Sequence, residues 1–400
     1  ADNPWTGGAD LSGRAVTVLG PAGFGSVPQL GVSLERFERR TGIRVEYLGT
    51  GDVSTEAEEL LDGGDPPDIA LFSQPGLSAK HLERGDAYDL REWFPAEYIE
   101  EVYEEKWLDV VSVDGALSAL PIYVTVKSLV WYDPEEFERF GYEPPETWPE
   151  LYALLARMRE DGNTPWSVGI ESDWASGWAA TDWLEDLMLR TAGADAYDAW
   201  VRGELRFRSA EVRAAAEELW RLWGGGRYVL QDREGIVTTP FAEAAHPLFR
   251  EPPEAMLHHQ AWFMRHFLPD GVTPGGGAAV FVFPALDGPA PMLVVGDLAC
   301  AFEDRPEVRA LMRFFSDPQS IRPVTEAGEA FAPHREAPLS WYPAAARPVA
   351  EGVKRAQVVR FDASDMMPEA VNRQFWQAMV DWIGGARSLE EALASIDETW

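Results

Sequence analysis

The chain has one cysteine in 400 residues, Cys300, so a disulfide framework and a cysteine-rich metal site are both excluded. Cys300 lies in the apolar run MLVVGDLACAF and reads as a small core hydrophobe. No apolar run reaches the ~18 residues a membrane-spanning helix needs. Basic residues are scarce: 34 Lys+Arg stand against 67 Asp+Glu, a formal net charge of −33. Such a surface repels phosphate and makes nucleic acid and anionic membranes poor partners. Histidines number six, with no HExxH spacing. His258 and His259 are adjacent and therefore face different ways, as core or solvated histidines. No GxxxxGK[ST], GxGxxG or GxSxG motif occurs. The nearest approach, GPAGFG at 20–25, reads as a Gly-rich strand end that lets backbone come close to a ligand. Neither a metal nor a cofactor is implied. The chain opens ADNPWTGG, polar and loop-like, with no signal segment in view.

What is present is an alternating pattern. RAVTVLG at 14–20 reads as a strand, 28–41 as a helix with Leu30, Leu34 and Phe37 on one face, and Gly42 as its stop. A strand at 43–48, a helix near 53–62 and a strand at 68–73 follow, an order that predicts a mostly parallel sheet. In such sheets ligands lie beyond the carboxyl ends of the strands, here GPAGFG, GTGD and SQPG. Two extended runs are expected around 117–132, then a helix at 147–160 capped by Thr147 with Glu150 as its capping-box partner. The stretch 176–224 is helical almost throughout, including an amphipathic 178–192 and a strong helix at 210–223 ended by GGGR. Strands return at 278–283 and 291–302, and helices at 305–316, 367–384 and 388–396. At this length two lobes are expected, with ligand between domains.

Aromatic residues are abundant, with 17 Trp. Trp174 and Trp178 in SDWASGW, and Trp341 in SWYP, sit beside loop residues rather than on helix faces. Sugars offer C–H faces that stack on aromatic rings, and hydroxyls that suit carboxylates, amides and Arg. A Trp-rich acidic chain therefore suits a carbohydrate, although most tryptophans of any chain are core. Asp182, Glu185 and Asp186 could be read as glycosidase acids, but among 67 acidic residues such groupings arise by chance.

LERFERRTGIRVEY at 34–47, DPPDIALFSQPGL at 65–77 and KSLVWYDPEEF at 127–137 resemble, in order, landmarks of the family 1 extracellular solute-binding proteins, the maltose-binding-protein-like class. SGWAATDWLEDLMLRTAGADAYDAWV at 176–201, EAMLHHQAWF at 254–263 and FDASDMMPEAV at 361–371 are similar to its α-glucoside-binding branch. The resemblance implies an α/β, periplasmic-binding-protein-like fold of two lobes with a hinge and an interlobe ligand cleft. The lobes would be 1–123 with 290–331 and a mainly helical 127–288 with 335–400, crossing near 124–126, 289 and 332–334. It implies a non-enzyme that captures a small neutral carbohydrate such as trehalose, maltose or sucrose. That protein would deliver it, as an extracytoplasmic monomer, to ABC permease transmembrane subunits. Similar proteins often carry a lipid on an N-terminal cysteine, and no such cysteine is present in this chain. A polyol or glycosylated osmolyte is the alternative ligand, and a glycoside hydrolase the alternative class. The positions matching family sugar contacts are Phe24, Asp52, Gln74, Tyr123, Lys127, Ser176, Trp178, Trp262 (as principal stacking ring), Gly296, Asp297, Arg335, Asp362 and Asp365. The last two would cap the last long helix. The chain departs from many relatives at Gln74-Pro75, where they carry an acid, and at AGEAFAPH, where they carry a Gly-Gly pair.

Overall fold

The computed structural model describes residues 3–400. Residues 1 and 2, the start of the opening segment and of the expected first lobe, lie outside the described residues. The chain divides into two compact units: residues up to Thr125 with Val295–Lys354, and Val126–Val294 with Arg355–Trp400.

In the first unit the strand Ala15–Pro21 pairs in parallel with Arg44–Thr50 and, on its other side, with Ile69–Phe72. Ile69, Ala70, Leu71 and Phe72 are all buried, as a strand covered on both faces requires. The next neighbour, Leu298–Ala301, runs antiparallel to Phe72–Ile69, a direction that a continuous apolar run does not encode. The helix Gln29–Thr41 buries Leu30, Leu34 and Phe37 and ends at the left-handed Gly42. Phe37 then meets Phe314 and Trp5 in an aromatic cluster.

Residues 335–354 belong to this unit, not to the second one as the sequence suggested. They are tied there by hydrogen bonds that a sequence pattern does not reveal. Lys106 Nζ donates to the carbonyls of Val353 at 2.8 Å and Lys354 at 3.2 Å. The Ala332 amide donates to the Tyr342 hydroxyl at 2.9 Å, and the Phe331 and Tyr342 rings stack. The last boundary therefore falls after Lys354 rather than at 332–334.

The second unit is built around helices. Thr147 and Glu150 form the expected capping box on Trp148–Glu160. Ser209 caps Ala210–Leu222, whose Val212, Ala215, Leu219 and Leu222 enter the core. A sheet of Leu129–Tyr132, antiparallel to Gly277–Val282 and to His258–His259, closes one side. The helix Trp178–Thr191 is the exception to its sequence pattern. Every residue from Ala179 to Arg190 is buried, so it is a central helix rather than an amphipathic one. Its charged residues Asp182, Glu185, Asp186 and Arg190 consequently point into protein and must be satisfied there.

Candidate functional site

Lys127 follows the strand Leu120–Val126 and is buried. Its Nζ donates to Asp182 Oδ1 at 2.7 Å and to Asp362 Oδ2. Asp362 Oδ1 accepts from Ser364 Oγ at 2.8 Å and from the Asp365 amide at 3.4 Å. The Ser364 amide in turn donates to Glu185 Oε1 at 3.0 Å. Asp362 thus caps the short helix Ala363–Met366, while the long helix Glu369–Gly384 starts behind Pro368. Burial pushes Asp182 and Glu185 far above the usual carboxylate range, and Asp365 up to about 6. Burial acts on Asp362 in the same sense, but Lys127 and its hydrogen bonds outweigh it and hold that group at about 2. Lys127 thus makes ion pairs with both Asp182 and Asp362. Asp182, Glu185 and Asp362 bring carboxylate oxygens within 4.8 Å of one another, the donor set a hard cation takes. Lys127 already supplies a positive charge to two of them.

Above this cluster lies Trp178, half-buried, its ring centroid 5.7 Å from Lys127 Nζ. Phe241 at 4.9 Å and Phe263 at 5.8 Å fix its orientation. Ser176 is spent on the preceding turn, accepting from the Ser172 amide and donating to the Asp173 carbonyl, both at 2.8 Å. In that turn Asp173 adopts a left-handed φ of 46° and Trp174 is 80% exposed. Trp174 packs on Trp376 with ring centroids 5.9 Å apart, and it is one of the loop tryptophans that the sequence singled out as suited to a sugar face. Trp262, expected to be the principal stacking ring, is 2% exposed and stacks on Trp131 at 5.6 Å. Trp174 and Trp178, by contrast, keep free ring area.

The first unit holds the other expected positions. Tyr123 donates its hydroxyl to Asp297 Oδ2 at 2.7 Å, and burial raises Asp297 to about 6. Phe24, at a left-handed φ of 63°, packs on Tyr47 at 4.3 Å. Asp52 caps the helix Val53–Asp62 through the Thr55 amide at 3.0 Å and hydroxyl at 2.7 Å. Gln74 precedes the helix Pro75–Arg84, and its side chain makes no cap. Two further expected positions also have structural roles. Arg335 Nη2 donates to the carbonyls of Glu100 at 3.2 Å and Tyr103 at 3.3 Å, ending the helix Ala96–Val102. Gly296 lies so close to the neighbouring strand that a Cβ there would collide with the Tyr123 carbonyl oxygen. Gly296→Ala must push two strand backbones apart and is expected to cost about 1–3 kcal/mol or more, read as a fall in thermal midpoint. An unchanged midpoint would refute the packing role.

The sequence reading set aside Asp182, Glu185 and Asp186, yet all three are buried on one helix. Asp186 accepts from Ser128 Oγ at 2.7 Å and from Arg190, and it bonds His259 Nε2 at 2.9 Å. His258 turns the other way, to the Ser167 carbonyl at 2.9 Å, and burial lowers it to about 4. Both histidines are core groups.

Residues 28–318 match the family model for the bacterial extracellular solute-binding protein. The chain is 38% identical over 395 residues to the osmoprotective compounds-binding protein GgtB of Synechocystis sp., covering 98% of this chain and 93% of that one. It is 34% identical over 414 residues to the alpha-glucosides-binding periplasmic protein AglE of Rhizobium meliloti, covering 98% and 88%. The bacterial solute receptor AcbH shares the fold, with a TM-score of 0.83 at 14% identity over 97% of this chain and 98% of that one. The fold is thus α/β and periplasmic-binding-protein-like, and the relatives are binding proteins rather than enzymes. By its match across most of its length and by these near-full-length relatives, the chain belongs to the bacterial extracellular solute-binding proteins, which work outside the cytoplasm.

Proposed function

We propose that the chain, as a monomer, captures a small neutral α-glucoside of disaccharide size, such as trehalose, maltose or sucrose, and delivers it to the transmembrane subunits of an ABC importer. The observation that carries this reading is the near-full-length identity to an alpha-glucosides-binding relative. The second unit supports it with two tryptophans, Trp174 and Trp178, that keep free ring area. Trp178 stacks on a pyranose face in this reading, and Lys127, Asp362 and Asp365 hold its surroundings polar. A glycosylated osmolyte or polyol is the second reading, favoured by the relative whose name gives osmoprotective compounds.

A thermal-shift screen with neutral disaccharides, polyols and charged glycosides separates these readings, because a ligand of the native state raises the midpoint. Trehalose, maltose or sucrose is expected to raise it, and Trp178→Ala to weaken that ligand at least about tenfold, ~1.4 kcal/mol. Trp178→Phe, which keeps a ring, is expected to retain most of the affinity. A shift with polyols or glycosylated polyols alone selects the second reading. A shift with charged or non-carbohydrate solutes alone refutes both.

A further inference from the structure

The second unit contains a cavity of about 960 Å³ that includes none of the residues assigned to sugar. It lies between the end of the helix Ala210–Leu222, the glycine turn that follows, and the end of the helix Glu369–Gly384. Trp220, Trp382, Tyr152 and Tyr228 line it. The glycine turn brings Tyr228 in: Gly224, Gly225 and Gly226 all have left-handed φ, and a Cβ on Gly224 would come within 2.6 Å of the Tyr228 ring.

The charge of this wall opposes that of the molecule. The whole chain carries 67 acids and 34 bases, whereas the cavity is lined by Arg221, Arg227, Arg233 and Arg387 with Glu217 as its one acid. Arg221 is paired with Glu218 at 2.5 Å and Arg387 with Asp381 at 3.2 Å. The other two are not neutralised in this way. Arg227 Nε donates to the Gly224 carbonyl at 3.1 Å. Arg233 donates from Nε to the Ile383 carbonyl at 2.7 Å and from Nη2 to the Trp382 carbonyl. Neither makes an ion pair among the described residues. Arg233 also lies over the Trp220 ring at 5.2 Å. Carbonyl bonds of this kind leave most of a guanidinium's five N–H donors and all of its charge for another group. Aromatic rings beside unneutralised arginines suit a ring that bears an anion, and the cavity is within the size range of small-molecule sites.

We propose that this cavity binds a ring-bearing organic anion of the glycosyl-phosphate or aryl-phosphate class, independently of the sugar site. The test is isothermal titration calorimetry of the full chain with glucose 1-phosphate, 4-nitrophenyl phosphate, inorganic phosphate and glucose. At least one ring-bearing phosphate is expected to bind, and more tightly than inorganic phosphate. Arg227→Gln and Arg233→Gln are each expected to weaken it about tenfold or more, as the loss of a charge-assisted contact does. Arg373→Gln, an exposed arginine of the same unit paired with Glu369, is the control and should change nothing. Thermal midpoints of the three variants separate lost binding from lost folding. Arg227 holds only its own turn, so its variant keeps the test decisive should Arg233→Gln fail to fold. The proposal is overturned if neither ring-bearing phosphate binds, if inorganic phosphate binds as tightly as both, or if folded Arg227→Gln binds like the parent. None of these results bears on neutral-sugar binding, so the two readings stand or fall separately.

Discussion

Asp186→Ala is expected to destabilise the second unit by about 3–5 kcal/mol, the cost of leaving a buried charge without its partner. Both side chains of the Asp186–Arg190 pair are 0% exposed. Asp186 gathers three donors, from Ser128, Arg190 and His259, and their attraction outweighs the burial that would otherwise raise it. Alanine removes all three acceptor contacts at once. Arg190 keeps the carbonyls of Phe283 at 2.6 Å and Pro284 at 2.7 Å, but no opposite charge. His259, stacked on Trp183 at 4.1 Å, loses its bond to the Asp186 carboxylate. Amide hydrogen exchange in the helix Trp178–Thr191 reports the effect locally, without assuming that both units unfold together. Faster exchange there, with a lower urea midpoint, is the expected result. Asp186→Asn, which keeps one acceptor oxygen, should lie between the two. Unchanged protection would show that the carbonyls alone satisfy Arg190, and that the carboxylate is dispensable.

The elements that could be read in advance are those written in local chemistry. Gly42 ends a helix because only a left-handed residue fits there, and Thr147 with Glu150 caps one because the two side chains are three residues apart. Leu30, Leu34 and Phe37 share a face for the same reason of spacing. What escaped reading depends on long-range packing. The helix Trp178–Thr191 carries Asp182, Glu185, Asp186 and Arg190 and so has the composition of a surface helix. Its partners, Lys127, Ser128, His259 and Asp362, lie far away in the chain, and no period links them to it. One local sign was available: Asp186 and Arg190 stand four apart among leucines, where a paired charge can be buried. Gly296 and Arg335 match the family pattern by position, but that pattern does not reveal that the first meets the Tyr123 carbonyl and the second bonds the end of a helix. A motif identifies where a residue stands in a family; its neighbours decide what the side chain does.

Lys127→Met is the second large effect, and pH gives it a signature that lost packing would not have. Lys127 is buried with four acids around it: Asp182, Glu185, Asp362 and Asp365. Burial works against its charge, and these acids outweigh that penalty. Methionine keeps much of the volume and removes the charge. Asp362, held at about 2 by the ammonium, is then a buried carboxylate with no counter-charge. The expected cost at neutral pH is about 3–5 kcal/mol. In the parent the folded-state value of Asp362 lies below its unfolded value near 3.8, so its contribution is complete above that pH and is lost as pH falls toward 2. In the variant the folded-state value rises above the unfolded one, so the folded state takes up the extra proton and gains stability as pH falls through the raised value. Down to about pH 4 the parent keeps its full Asp362 contribution while the variant gains stability as pH falls through the raised value, so the stability gap between them should narrow from pH 7 toward pH 4. Urea midpoints of the two proteins across that range measure it. A gap that stays constant would mean that the Lys127→Met substitution acts through volume alone, and that the Lys127–Asp362 charge pair contributes nothing to stability.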